Sequence, residues 1–186
     1  MIYNKHSDLY GKHAFLSPSN YHWLNYNEQK LEARYVAAMA AQRGTDLHSL
    51  AHEAIRLGVK LSKGNLALST YVNDAIGYKM TCEQTLYYSD NCFGTPDTIS
   101  FRRGKLRIHD LKTGIVHASE RQLEVYAALF CLEYGINPFD IEIELRIYQR
   151  DEIRIFEPSP EFIVEIMDKI VMFDQQIEEM RMSDRF

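Results

Sequence analysis

The chain has 186 residues, 46% of them hydrophobic and 25% charged, which suits one folded domain over residues 1–186 and excludes extended disorder. Its formal net charge of −5 argues against phosphate binding by the chain as a whole and leaves room for a local basic patch, because the acidic groups crowd toward the C-terminus (Glu157, Glu161, Glu165, Asp168, Glu178, Glu179). No apolar run reaches the ~18 residues of a membrane span, and residues 1–13 lack the apolar stretch of a secretory signal, so the expected location is cytoplasmic, with no membrane partner.

Residues 15–27 read as the start of structure, with Ser17 or Ser19 placed to cap a short helix and Pro18 in its first turn. Residues 28–61 read as helical, with an interruption at Gly44-Thr45-Asp46 and a second piece in which Leu47, Leu50, Ala51, Ala54 and Leu57 recur at helical spacing up to Gly58. Residues 79–89 read as a strand, and 92–103 and 105–112 as two more, joined in a hairpin at Arg103-Gly104-Lys105. An amphipathic helix is predicted over 119–134, stopped by Gly135. Residues 141–148 alternate strictly between apolar and polar, which predicts a strand, and 152–156 is its short partner. A helix from Ser159, with Pro160 in its first turn, runs to about Met182. Helices, three strands, a helix, a strand pair and a helix predict an α/β domain with a mixed central sheet flanked by helices.

Two stretches carry chemistry: Gly94-Thr95-Pro96-Asp97 and Asp110-Leu111-Lys112-Thr113-Gly114. Side chains alternate along a strand, so Asp97 shares a face with Ile99 and Phe101, and Asp110 and Lys112 share one with Leu106 and Ile108. Charges that extend an apolar strand face are costly unless they bind something. Two carboxylates on adjacent strands suit a hard cation, Mg2+ or Mn2+, and Lys112 beside them can orient an attacking water or stabilise charge on a phosphate. For the tripeptide alone an ordinary Asp110–Lys112 ion pair is the plainer reading; the neighbouring motifs tip the balance.

In order along the chain, Gly44-Thr45-Asp46-Leu47-His48, Gly94-Thr95-Pro96-Asp97, Asp110-Leu111-Lys112-Thr113-Gly114 and Gln122-Leu123-Glu124-Val125-Tyr126 resemble the motifs of the PD-(D/E)XK nuclease superfamily, in its RecB-like exonuclease branch. Leu16-Ser17-Pro18-Ser19 followed by Trp23-Leu24 resembles the opening of that branch, and the likeness covers residues 16–130. It implies a PD-(D/E)XK core in which Asp97, Asp110, His48 and the main-chain carbonyl of Leu111 hold the metal. Lys112 is then the catalytic lysine acting with Asp97 and Asp110, while Gln122 and Tyr126, on one helix face, line the site or contact DNA. Arg102, Arg103, Lys105 and Arg107 around the hairpin, and Arg121, are candidate DNA contacts, with a solvated turn as the alternative.

His48 and His52 have the i, i+4 spacing of a zinc pair, but the sequence offers no third zinc-type partner. His52 therefore reads as a partly buried polar residue, and Glu53 can add a supporting carboxylate. Three cysteines, Cys82, Cys92 and Cys131, without CxxC spacing predict reduced thiols and exclude a disulfide framework or a four-cysteine iron–sulfur cluster within the chain. No GxxxxGK[ST] helicase motif is present. A stand-alone nuclease of this size looks like a bacteriophage or mobile-element recombination exonuclease. That resemblance implies DNA as substrate and a recombinase or single-strand annealing protein as the kind of partner, with an oligomer compatible. The expected function is a Mg2+- or Mn2+-dependent deoxyribonuclease acting on DNA ends. A structure-specific endonuclease and a noncatalytic nucleic-acid-binding or assembly module retaining the fold are the alternatives.

Overall fold

The computed structural model describes residues 14–183 apart from 63, 65, 115 and 117; the expectation about residues 1–13 lies outside them. The chain packs as two compact units, one ending at Thr45 and the other starting at Asp46.

In the first unit a 3-10 helix, Pro18–Asn25, has Pro18 in its first turn as expected, but no side chain caps it. Ser17 and Ser19 pair their hydroxyls with each other at 2.8 Å, and the Trp23 indole donates to the Ser17 carbonyl. Asn27 caps the next helix through its side chain, accepting from the Lys30 N–H at 2.9 Å. That helix, α1 (Glu28–Leu57), shows no interruption at residues 44–46. Thr45 does not cap a new helix there; its hydroxyl donates one turn back to the Ala41 carbonyl, as a threonine inside a helix can.

In the second unit α1 ends at Leu57 and Gly58 follows with φ +68°, so residues 59–61 are not helical. A helix the sequence reading did not anticipate, α2 (Leu66–Gly77), buries Ala67, Leu68, Tyr71, Val72 and Ala75, the i, i+1, i+4, i+5, i+8 spacing of one helical face. The strand expected over 79–89 is two short strands, β1 (Thr81–Cys82) and β2 (Leu86–Ser89), and that expected over 92–103 is β3 (Cys92–Gly94) and β4 (Thr98–Arg102). The breaks have local causes. Glu83 takes a left-handed φ of +51°, which no strand accommodates, and Pro96 has no N–H to give a ladder. The two breaks sit side by side, the Glu83 N–H donating to the Asp97 carbonyl. As a result β2 and β3 pair with each other in a separate ribbon, while β1 and β4 join the main sheet.

The main sheet has the order β1-β4-β5-β6-β7, with β5 (Lys105–Lys112), β6 (Glu142–Gln149) and β7 (Glu152–Phe156). The β5–β6 pair is parallel. The β1–β4, β4–β5 and β6–β7 pairs are antiparallel, so the sheet is mixed. The expected β4–β5 hairpin is present: Arg103 and Gly104, at φ +52° and +74°, make the two-residue turn whose positive φ values match strand twist. Helix α3 (Arg121–Tyr134) crosses between the parallel strands, and Gly135, at φ +62°, ends it. Helix α4 (Pro160–Met182) starts from Ser159, whose side chain accepts from the Phe162 N–H.

Alternation along β5 and β6 divides the core. Leu106, Ile108, Leu145 and Ile147 pack with Leu123, Ala127 and Leu129 of α3 and Ile163 of α4. Leu111 and Tyr148, on the other face, pack with Ala51, Ala54 and Ile55 of α1 and Tyr71 and Val72 of α2. The unit is therefore a mixed α/β sheet flanked by helices on both faces. Among the described residues no helix is long and apolar enough to cross a membrane.

Candidate functional site

The β4–β5 register pairs Thr98 with His109. Asp97 immediately precedes β4 and Asp110 immediately follows His109 on β5, so the two carboxylates flank the last pair of that ladder at the Lys112 end of the strand. Asp97 is held there by its own side chain: Oδ2 accepts from the Leu111 N–H at 2.9 Å. The same oxygen lies 3.4 Å from His48 Nδ1 of α1. Asp110 is 4% exposed, and Lys112 Nζ stands 3.0 Å from its Oδ2. Among the described residues no hydrogen bond of regular geometry reaches that buried oxygen, and the Lys112 ammonium is its ion-pair partner. Burial pushes the Asp110 carboxyl above its ordinary range and the Asp97 charge adds to the rise, while Lys112 and His48 oppose it.

Lys112 is fixed from the α3 side of the sheet by a directional chain of hydrogen bonds. Its ammonium donates to Gln122 Oε1 at 3.1 Å, Gln122 Nε2 donates to the Tyr126 hydroxyl at 3.1 Å, and that hydroxyl donates to the Thr95 carbonyl at 3.1 Å. Gln122 and Tyr126 do share a helix face, and they use it to tie the catalytic-lysine candidate to the loop that carries Asp97. Gly94 is part of the same fit, since a Cβ there would lie 2.8 Å from the Tyr126 ring. The Gly94–Asp97 and Gln122–Tyr126 stretches, far apart in sequence, are one packed unit.

His52, a turn beyond His48, joins the cluster. One ligand atom from each of His48, His52 and Asp97 lies within 4.8 Å of the others. The third partner that the His48–His52 spacing lacked in the sequence is thus Asp97, delivered by the fold. His52 Nδ1 lies 3.3 Å from Glu83 Oε1. Glu53, by contrast, points to Arg56 rather than supporting the site. Beneath, Tyr71 of α2 is fully buried, and its hydroxyl is pushed far up by burial first and then by the Asp97 charge, so it remains protonated.

The basic candidates are divided in space. Arg102 and Arg103 lie exposed at the hairpin, at the opposite end of β5 from Asp110; five steps of extended strand lead from Lys105 to Asp110, about 17 Å at the usual rise. Lys105 pairs with Glu142 and Glu144, and Arg107 with Glu144. Arg121 stands beside Gln122, where it pairs with Glu124 and lies over the Phe162 ring. The three cysteines are free, with Cys131 buried and Cys82 and Cys92 partly so.

Sequence reading missed Glu83, which sits at a strand break with no local signature, and Gln149. Gln149 is 4% exposed; it donates to the carbonyls of Gly114 and Val116 and accepts from the Ala118 N–H. No protein-family model matches the chain, and no curated protein matches it.

Proposed function

We propose that the chain is a divalent-metal-dependent nuclease with a PD-(D/E)XK core, hydrolysing phosphodiester bonds at DNA ends. The observation that carries this reading is the placement of Asp97 and Asp110 across one strand pair with Lys112 at 3.0 Å from Asp110. The donor types suit the ion: Asp97 lies 3.4 Å from His48, the charges of both act on Asp110, and a buried Asp110 oxygen that has no regular hydrogen bond among the described residues is costly unless a cation or ammonium compensates it. Asp97, Asp110 and His48 would hold Mg2+ or Mn2+, with the Leu111 carbonyl adjoining. When bound, such an ion activates water and stabilises charge on the phosphate.

The chain's own residues do the rest. Asp97 and Asp110 concentrate negative charge where the cation is needed. Lys112, held by Gln122, keeps a proton-bearing ammonium beside the carboxylates, where it orients water or stabilises the phosphate's developing charge. Arg121, next to Gln122 on α3, would contact the DNA backbone near the site, whereas Arg102 and Arg103 would meet a more distant stretch of the DNA. A recombinase or single-strand annealing protein is the partner this activity would serve.

The test is cleavage of end-labelled linear DNA against covalently closed circular DNA, each with and without Mn2+. Metal-dependent loss of the linear substrate alone supports exonuclease action, and nicking of the circle would make the protein an endonuclease. An inert, folded protein on both substrates would leave a noncatalytic nucleic-acid-binding or assembly module.

A further inference from the structure

The His48–Asp97 pair does not account for His52. Its side chain is only 15% exposed, and its Nε2 is buried with no hydrogen-bond partner among the described residues. Its other nitrogen, Nδ1, faces the Glu83 carboxylate at 3.3 Å. A carboxylate at Nδ1 holds the proton on that nitrogen and leaves Nε2 as a bare lone pair, the arrangement that orients metal-binding imidazoles and raises their basicity. An unpartnered buried lone pair is otherwise unfavourable. Glu83 is brought there by its own left-handed backbone, φ +51°, and by its N–H bond to the Asp97 carbonyl. The residue that orients His52 is thus tied to the loop that supplies Asp97.

We propose that His48, His52 and Asp97 form one divalent transition-metal site, with Glu83 orienting His52, so that the centre takes Mn2+ and its first-row neighbours in preference to Mg2+. Two imidazoles and a carboxylate are a donor set for transition ions, since Mg2+ takes oxygen ligands and keeps its waters. Three ligands from this group also leave positions open for Asp110 and for water or a phosphate oxygen. The inference rests on the proposed function for the place of the ion and not for cleavage.

Metal binding by the full chain decides it without any activity assay. Calorimetric titration of the metal-free protein should show Mn2+ binding at least tenfold more tightly than Mg2+. His52→Gln should weaken Mn2+ about 10–100-fold, and Glu83→Gln by about tenfold, the range for supporting partners, each with little change for Mg2+. Pulsed electron paramagnetic resonance of the wild-type Mn2+ complex needs no variant and should show two coordinated imidazole nitrogens, falling to one in His52→Gln. A single nitrogen in the wild type, or unaltered Mn2+ affinity in a folded His52→Gln, overturns the proposal and reduces His52–Glu83 to an ion pair. A protein that binds Mn2+ through two imidazoles yet cleaves no DNA keeps this inference and loses the nuclease reading. One that cleaves equally well with Mg2+ and shows one imidazole does the reverse.

Discussion

Lys112 is the residue on which the two readings of the Asp110–Lys112 pair divide. Its ammonium has two partners, Asp110 Oδ2 at 3.0 Å and Gln122 Oε1 at 3.1 Å, and it is partly open to solvent. The lysine is partly exposed but its partner carboxylate is buried, so Lys112→Ala leaves the Asp110 charge uncompensated and should cost about 1–3 kcal/mol of stability in the metal-free protein. On the nuclease reading the same change should lower single-turnover cleavage by roughly 10²–10³, the usual effect of removing one preorganised donor, while calorimetry still detects metal on Asp97 and Asp110. Near-normal cleavage would make the lysine structural. Asp110→Asn tests the other half of the pair. It keeps the shape and removes the buried charge, so cleavage should vanish while thermal stability holds or rises.

At the scale of elements, the packing of α3 on the β3–β4 loop sets where Asp97 stands. Gly94 gives way to the Tyr126 ring, and Tyr126 is hydrogen-bonded on both sides of its hydroxyl, so the ring has little freedom to retreat. Gly94→Ala should therefore cost about 1–3 kcal/mol in urea denaturation, the usual price of overpacking. Adding Tyr126→Ala should return much of it, because residues in contact do not add. Additive costs would show that the two do not meet. The short strands β1 to β4 follow from the same region. A proline and a left-handed glutamate split what alternation alone reads as two long strands, and the split brings Glu83 and Asp97 together.

At the scale of the folded unit, the sheet face opposite α3 carries a second polar network that the candidate site does not use. The Tyr148 hydroxyl donates to Asp74 at 2.7 Å and lies 3.2 Å from His109 Nδ1, which must then carry the proton. Arg146 pairs with Asp74, and the Tyr78 ring lies edge-on to the imidazole. Burial, with Arg146 and Arg107 nearby, holds the His109 imidazole down to about 3. The unfolded chain takes up that proton near pH 6.5 and the native state does not. Stability from this group is thus unaffected above pH 7.5, and it falls as pH drops from about 6.5 toward 3. The difference in unfolding free energy between the wild type and His109→Asn should change by up to about 1.4 kcal/mol per pH unit in that window. Parallel curves would mean that His109 protonates in the folded state.

The sequence by itself determined whatever depends on short spacings. Strand alternation placed Asp110 and Lys112 on one face, and helical spacing did the same for Gln122 with Tyr126. Gly135, Ser159 and the Arg103-Gly104 turn are local backbone chemistry, and they sit where the sequence puts them. Helix α2 was legible too, in the spacing of Ala67, Leu68, Tyr71, Val72 and Ala75, but its apolar run has no motif to draw the eye. Tertiary structure alone decided the remainder. The register of β4 on β5 brought Asp97 and Asp110 to one end of the ladder. Glu83 reached His52, and Asp97 became the third member of the His48–His52 pair. Each is a contact between segments far apart in the chain, and side-chain periodicity carries no information about which segments meet.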